Sequence, residues 1–62
     1  MTYCIQRTIN EKTKLDIKIS ELELFINSAT FSNLELSDRE LLKVQFDCMK
    51  IYSRILRLRI GG

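Results

Sequence analysis

Residues 15–26 read LDIKISELELFI, and this stretch decides the fold because its apolar residues recur with the period of an α-helix. Four of them lie four, three and four residues apart and share one helical face, namely Leu15, Ile19, Leu22 and Ile26. The stripe extends backwards through Ile9 and Ile5 without an interrupting Pro or Gly. The pattern therefore predicts a first helix over residues 2–27, about 39 Å long at 1.5 Å per residue.

Self-association is the second expectation from the sequence. Ile17 and Leu24 lie seven residues apart on another face of the first helix, where they can meet a neighbouring molecule. A core in a chain of 62 residues rarely supplies more than ~3–5 kcal/mol without a disulfide, a metal or a partner. Cys4 and Cys48 are far apart in sequence and the chain contains no His, so an oligomer is the stabilising device that remains.

The connection after the first helix occupies residues 27–37, where Ser, Asn and Thr favour turns and caps over helix interiors. Phe31 and Leu34 have helical spacing within it. We expect them to form a short helical turn that plugs the open end of a hairpin, as core residues and not as a ligand site.

A second long helix is predicted from Ser37 to about Ile60. Ser37 and Glu40 have the spacing of a capping box. Two adjacent apolar rows then follow, Leu42, Met49 and Leu56 beside Leu41, Cys48 and Ile55, which indicate a broad stripe facing the core with Cys48 buried on it. Cys4, near the chain start, is expected to be exposed. Gly61 and Gly62 end the helix.

The fold predicted over residues 1–62 is therefore a single all-α domain. It is a hairpin of two long antiparallel helices with a short helical turn in the connection, and it assembles into a helical homo-oligomer. No signal peptide and no apolar run of about 20 residues is visible, and two isolated thiols suit a reducing compartment. These features predict a cytoplasmic protein without a membrane span.

Enzymatic chemistry is not expected, since the sequence has no His, no glycine-rich phosphate loop and no nucleophile–base arrangement. We expect no catalytic residues, no metal and no cofactor. The acidic residues Glu21, Glu23, Glu35 and Glu40 stand among other charges and are interpreted as solvated. The net charge of +2 is too small for a polybasic nucleic-acid domain. Arg54, Arg57 and Arg59 follow one another without an acidic neighbour, and they either complement the helix dipole or form an anion site.

A resemblance to a known family emerges from residues spread over nearly the whole chain. They comprise Gln6-Arg7, Glu11-Lys12, Leu15-Asp16, Lys18-Ile19, Leu22-Glu23, Phe25-Ile26, Phe31, Leu34, Leu41-Leu42, Gln45, Met49, Tyr52-Ser53, Ile55-Leu56 and Arg59-Ile60. At these spacings the chain resembles the small phage anti-CBASS proteins that act as sponges for cyclic oligonucleotides. The N-terminal segment is the least regular part of that family, and Ile17 stands where many relatives carry a charged residue.

The resemblance implies a hexamer of helical hairpins in the host cytoplasm that binds cyclic dinucleotides such as cyclic GMP-AMP without cleaving them. Some relatives also hold cyclic trinucleotides at separate sites. By position, Tyr3 resembles the aromatic residue that stacks on a purine, and Lys18 the cation at a phosphate. Ser20 and Arg59 resemble the polar pair of the cyclic trinucleotide site. Bound messenger no longer activates the CBASS effector.

Each of these residues also has an ordinary structural interpretation. Tyr3 is otherwise an aromatic residue resting on a neighbouring helix, Lys18 a solvated or ion-paired lysine, and Ser20 a serine facing water. The main rival function is a helical adaptor or inhibitor that grips a host protein through its second apolar stripe. A DNA- or RNA-binding regulator that uses the C-terminal arginines is disfavoured by the modest charge.

Overall fold

Two long helices joined by a short one make up the fold, as the sequence predicts. The computed structural model describes the backbone of residues 2–61 and the side chains of residues 5–61. Its elements are α1 (Thr2–Ile26), α2 (Ala29–Ser32) and α3 (Leu36–Ile60). The two long helices lie antiparallel in a rod of 46 × 15 × 15 Å. The expectations for the side chain of Cys4 and for Gly62 lie outside the described residues.

The contact between α1 and α3 forms a narrow core. The four residues of the predicted α1 stripe are all half-buried, and so are Leu42 and Met49 on α3. Leu56 has 0% of its surface exposed and is the most deeply buried residue in this contact. Among the described side chains, only Phe31, Ser53 and Leu56 are buried. The hairpin therefore has one thin seam of packing and little interior beyond it.

The connection closes one end of this seam, as predicted. Phe31 in α2 is 6% exposed and its ring meets that of Phe25 edge-to-face at 6.1 Å between centroids. Ser28 holds the turn, because its hydroxyl accepts the amide of Phe31 at 3.3 Å and donates to the carbonyl of Phe25 at 2.6 Å. Leu34 is half-buried beside them. The prediction of an apolar plug is confirmed.

The predicted capping box at the start of the second helix is wrong. The helix begins earlier, at Leu36, with Glu35 as its N-cap and no side-chain cap bond. The amide of Arg39 already donates to the carbonyl of Glu35 at 3.0 Å. Ser37 is thus inside the first turn and cannot cap the amide of Glu40 from outside the helix. Asp38, also in the first turn, provides the negative charge that favours this helix end.

The prediction that Cys48 is buried is also wrong, since Cys48 is exposed in the hairpin. The reason is that α3 carries two apolar stripes and only the stripe with Leu42, Met49 and Leu56 faces α1. The other stripe is exposed throughout and follows a repeat of three and four residues. We call it the outer seam, and it consists of Leu41, Val44, Cys48, Ile51, Ile55 and Leu58.

Gly61 ends α3, as predicted. Its φ of 97° lies in the left-handed region, which glycine enters without the steric cost that a Cβ would impose. In that conformation its amide donates back to the carbonyls of Arg57 and Leu58. The arrangement satisfies carbonyl groups at the helix end that would otherwise lack a partner.

Replacing the most deeply buried leucine tests how far stability depends on the thin core. We expect Leu56→Ala to lower the free energy of unfolding by about 2–5 kcal/mol, because a cavity remains where the side chain was. The matched control is Leu36→Ala, since Leu36 is 63% exposed on the same helix. Urea unfolding followed by circular dichroism measures both. An equal effect of the two substitutions would show that the α1–α3 contact is not the main source of stability.

Candidate ligand-binding surfaces

One flank of the hairpin is marked by a hydrogen bond between the long helices. The hydroxyl of Tyr52 donates to the carboxylate of Glu11 at 2.5 Å. This bond raises the pKa of Tyr52 above its ordinary value, because losing the proton would place two negative charges together. Arg59 follows Tyr52 by seven residues and Lys18 follows Glu11 by seven, so both lie on this flank, each two turns from the bond but in opposite directions because the helices are antiparallel. We call this surface, Glu11, Lys18, Tyr52 and Arg59, the tyrosine flank.

The opposite flank has a second polar bridge, centred on Asp16. One carboxylate oxygen accepts a hydrogen bond from Lys12 Nζ at 2.6 Å, and the other accepts one from the hydroxyl of Ser53 at 2.5 Å. The bond from Lys12, aided by that from Ser53, lowers the pKa of Asp16 below its ordinary value. Since Ser53 is 9% exposed, the bridge satisfies a polar group inside the contact between the helices. It also fixes Lys12 at the edge of α3.

A groove of about 260 Å³ runs beside this bridge, lined by Lys12, Lys50, Ser53, Arg54 and Arg57. We call it the basic groove. Lys50 Nζ lies 4.7 Å from the centre of the Phe46 ring, a cation–π contact that holds the side chain against the helix. Four cations therefore line one small concave surface, and Asp16 is bound to one of them. Such a surface has the charge and hydrogen-bond donors that an anion requires.

The structure does not bring Ser20 and Arg59, the residues of the implied trinucleotide site, together within one chain. Lys18 and Ser20 are exposed on α1 and differ by about 200° around its axis. Arg59 is exposed on the tyrosine flank, whereas Ser20 follows Asp16 by four residues and lies on the side of the basic groove. The side chain of Tyr3 lies outside the described residues. Lys18, Ser20 and Arg59 do not line the basic groove.

Comparison with known proteins identifies the family. A sequence model described as Sequestin matches residues 3–61, which is nearly the whole chain. The chain belongs to the Sequestin family. The family name is consistent with a protein that sequesters a ligand, as the resemblance to cyclic-oligonucleotide sponges implies. No curated protein and no solved structure matches the chain significantly.

The basic groove is a feature of this Sequestin chain that sequence reasoning identified only in part. Proximity in sequence groups the arginines at the C-terminus, but helix geometry divides them. Arg54 and Arg57 line the groove, whereas Arg59 lies on the other flank. The spacing of Lys50, Arg54 and Arg57 by four and three residues was a usable signal. The contribution of Lys12 depends on how α1 pairs with α3.

The acidic residues expected to be solvated, Glu21, Glu23, Glu35 and Glu40, are all exposed. Across the described residues, no three His, Cys, Asp or Glu side chains come together as a metal site would require. None of the helices in the described part of the chain has both the length and the apolarity of a membrane span.

The Asp16 bridge predicts a pH dependence of stability. Because the folded-state pKa of Asp16 is lowered, the bridge stabilises the fold above the unfolded carboxyl pKa of about 4 and is lost as the pH falls through the lower folded value. We expect Asp16→Asn to lower the melting temperature at pH 7, and the difference from wild type to shrink in acid. Thermal melts between pH 7 and pH 2 measure it. The control is Asp47→Asn; a constant difference for Asp16→Asn across this range would contradict the bridge.

Proposed function

We propose that this protein binds cyclic dinucleotide second messengers such as cyclic GMP-AMP, and cyclic trinucleotides at a second site, and sequesters them without cleavage. In the cytoplasm of a phage-infected cell, bound messenger would no longer activate CBASS effectors. The observation that carries the proposal is membership of the Sequestin family over residues 3–61. The exposed cations Lys18 and Arg59 support it, because each is available to a phosphate.

Assembly into a homo-oligomer, which the sponge family implies to be a hexamer, is part of this proposal. The hairpin exposes 4996 Å² of surface, whereas a compact monomer of 7.3 kDa exposes about 4,200 Å². The outer seam supplies much of the apolar part, with Leu41 at 66%, Ile51 at 61% and Leu58 at 66% exposed. Its three-and-four spacing is that of helices that pack together in coiled coils. We therefore propose that a second copy of the chain packs against the outer seam.

The dinucleotide site is proposed to join two chains. Tyr3 and Lys18 are fifteen residues apart on α1, which is about 22 Å along the helix and further than one cyclic dinucleotide spans. A two-fold interface would supply one tyrosine and one lysine to each half of a ligand with two bases and two phosphates. Lys18 forms no ion pair with a described residue. Aromatic stacking contributes roughly 1–3 kcal/mol per base.

The trinucleotide site also requires more than one chain, because Ser20 and Arg59 lie on opposite flanks of the hairpin. Around a three-fold axis, three Arg59 side chains would meet three phosphates. The planar guanidinium pairs with two phosphate oxygens at once, which makes arginine suited to this position. Ser20 would add a hydroxyl donor from a neighbouring chain.

A binding role without catalysis is proposed from the acid–base groups of the described residues. The chain has no His, and the carboxylates of Glu11 and Asp16 are occupied by hydrogen bonds to Tyr52, Lys12 and Ser53. General-base cleavage of a phosphodiester needs a proton acceptor within reach of the attacking group.

The second candidate function is a helical adaptor that grips a host protein. The exposed outer seam favours it, since large apolar patches mark interaction surfaces. The two functions differ in what covers that seam, a second copy of the chain or a host protein, and in whether a nucleotide is retained.

The assembly is tested by placing a charge in the outer seam. We expect Ile51→Asp to convert the oligomer into smaller species, because an unpaired carboxylate would be buried at the interface. Sedimentation velocity at micromolar concentration measures the change. Leu36→Asp is the control, as Leu36 is 63% exposed and outside the seam. Protection of Cys48 from a maleimide should be lost together with the oligomer. A wild-type protein that sediments as a folded monomer would contradict the assembly.

Ligand recovery tests the sequestration. The purified protein is incubated with cyclic GMP-AMP, separated by size exclusion and denatured, and intact nucleotide is expected in the oligomer fraction. Cleaved nucleotide would indicate an enzyme, and no nucleotide would favour the adaptor.

Single substitutions distinguish the proposed dinucleotide site from the proposed trinucleotide site. Lys18→Ala should weaken cyclic dinucleotide binding by at least about tenfold and leave trinucleotides unchanged, because a charge-assisted bond to phosphate is lost. Arg59→Ala should do the reverse, and Lys43→Ala is the control for removal of a lysine. Isothermal titration measures each affinity. An equal loss of affinity for both ligands in either variant would contradict the proposal of two separate sites.

A further inference from the structure

The basic groove has a concentration of positive charge that the fold alone does not require. Lys50, Arg54 and Arg57 follow one another at four and three residues and so share one strip of α3. Like charges at these spacings destabilise a helix by a few tenths of a kcal/mol for each pair. Lys12 adds a fourth cation from α1 across the groove.

The helix dipole accounts for only one of these cations. Its effect is confined to the last turn of a helix, and α3 ends at Ile60. Arg57 lies in that last turn, but Arg54 and Lys50 lie one and two turns earlier. Their position therefore needs another explanation.

Neutralisation by carboxylates does not account for them either. Among the described residues the one salt bridge joins Lys12 to Asp16, and both oxygens of Asp16 are already in hydrogen bonds. Asp47 lies with Lys50, Ile51 and Arg54 around an adjoining hollow of about 420 Å³, and forms no salt bridge with either cation. Three cations thus surround the groove without an anionic partner in the described chain.

We propose that the basic groove is a binding site for a small anion with two phosphoryl groups, separate from the sites at Lys18 and Arg59. Lys50 and Arg57 are about 10 Å apart along α3, with Arg54 between them, so the strip offers donors to two neighbouring phosphates. The guanidinium groups bind phosphate oxygens in pairs. The hydroxyl of Ser53 and the ammonium of Lys12 line the floor and the far edge.

The chemistry of the site is shared by two sources of ligand, a linear diphosphate and the phosphodiester ring of a cyclic nucleotide. The ring source would make the groove part of the proposed sequestration, whereas the linear source would make it an independent site. The groove lies beside the contact between α1 and α3 and has cations from both helices. Either ligand would therefore also stabilise the hairpin, because it links the two helices by charge.

The experiment titrates the intact oligomer with inorganic pyrophosphate and with cyclic GMP-AMP by isothermal calorimetry. It compares wild type, the double variant Arg54→Gln/Arg57→Gln, the variant Lys18→Ala, and the control Arg7→Gln, which removes an exposed arginine of α1. Pyrophosphate is expected to bind wild type and Arg7→Gln equally and the double variant at least about tenfold more weakly. Circular dichroism and sedimentation verify that the variants are folded. If the double variant does not fold, the single variant Arg54→Gln replaces it.

The outcomes separate this proposal from the preceding one. No pyrophosphate binding to wild type, or equal binding to wild type and Arg54→Gln/Arg57→Gln, would overturn the groove as a phosphate site whatever the affinity for cyclic GMP-AMP. If Lys18→Ala loses binding of cyclic GMP-AMP and Arg54→Gln/Arg57→Gln does not, the groove acts independently of the dinucleotide site. If Arg54→Gln/Arg57→Gln loses binding of cyclic GMP-AMP and Lys18→Ala does not, the groove is supported as a phosphate site and the assignment of the dinucleotide to Lys18 is overturned.

Discussion

The packing of α1 against α3 along one narrow stripe is the constraint on which the rest of the structure depends. Leu56 is fully buried in it, and Phe31 closes one end. Because each helix has only one face in this contact, most of both helices remains at the surface. The hydrogen bonds from Tyr52 to Glu11 and from Ser53 to Asp16 lie on either side of the stripe and hold the helices in register. The same thin contact leaves most of both helices available for the proposed binding surfaces.

Helix α3 has four faces, and each carries residues of a different chemical character. Leu56 faces α1, Ile51 and the rest of the outer seam face away, Arg59 lies on the tyrosine flank, and Arg54 lines the basic groove. A single helix of 25 residues thus provides the core contact, the surface proposed for assembly and the cations proposed to bind phosphate. The proposed sequestration between copies would use this arrangement, since each copy would contribute to several interfaces.

The fold was largely predictable from the sequence, because helical periodicity and turn composition are local signals. The spacing of Leu15, Ile19, Leu22 and Ile26 predicted α1 to within one residue of its end, and the plug at Phe31 followed from an apolar residue in a polar connection. The capping box at Ser37 was wrong because local pattern does not decide where a helix begins when an earlier turn can also form. The burial of Cys48 was wrong because two adjacent apolar rows cannot both face one partner helix.

By itself the sequence determined the helices, their length, the hairpin and the family, since these depend on spacing along one chain. Only the tertiary structure decided which apolar stripe of α3 turns inward and which cations share a groove. The reason is that both depend on the rotation of α3 relative to α1, which the bridges at Asp16 and Glu11 define. That rotation separates Arg59 from Arg57 and brings Lys12, forty-two residues from Arg54 in sequence, to the same small groove.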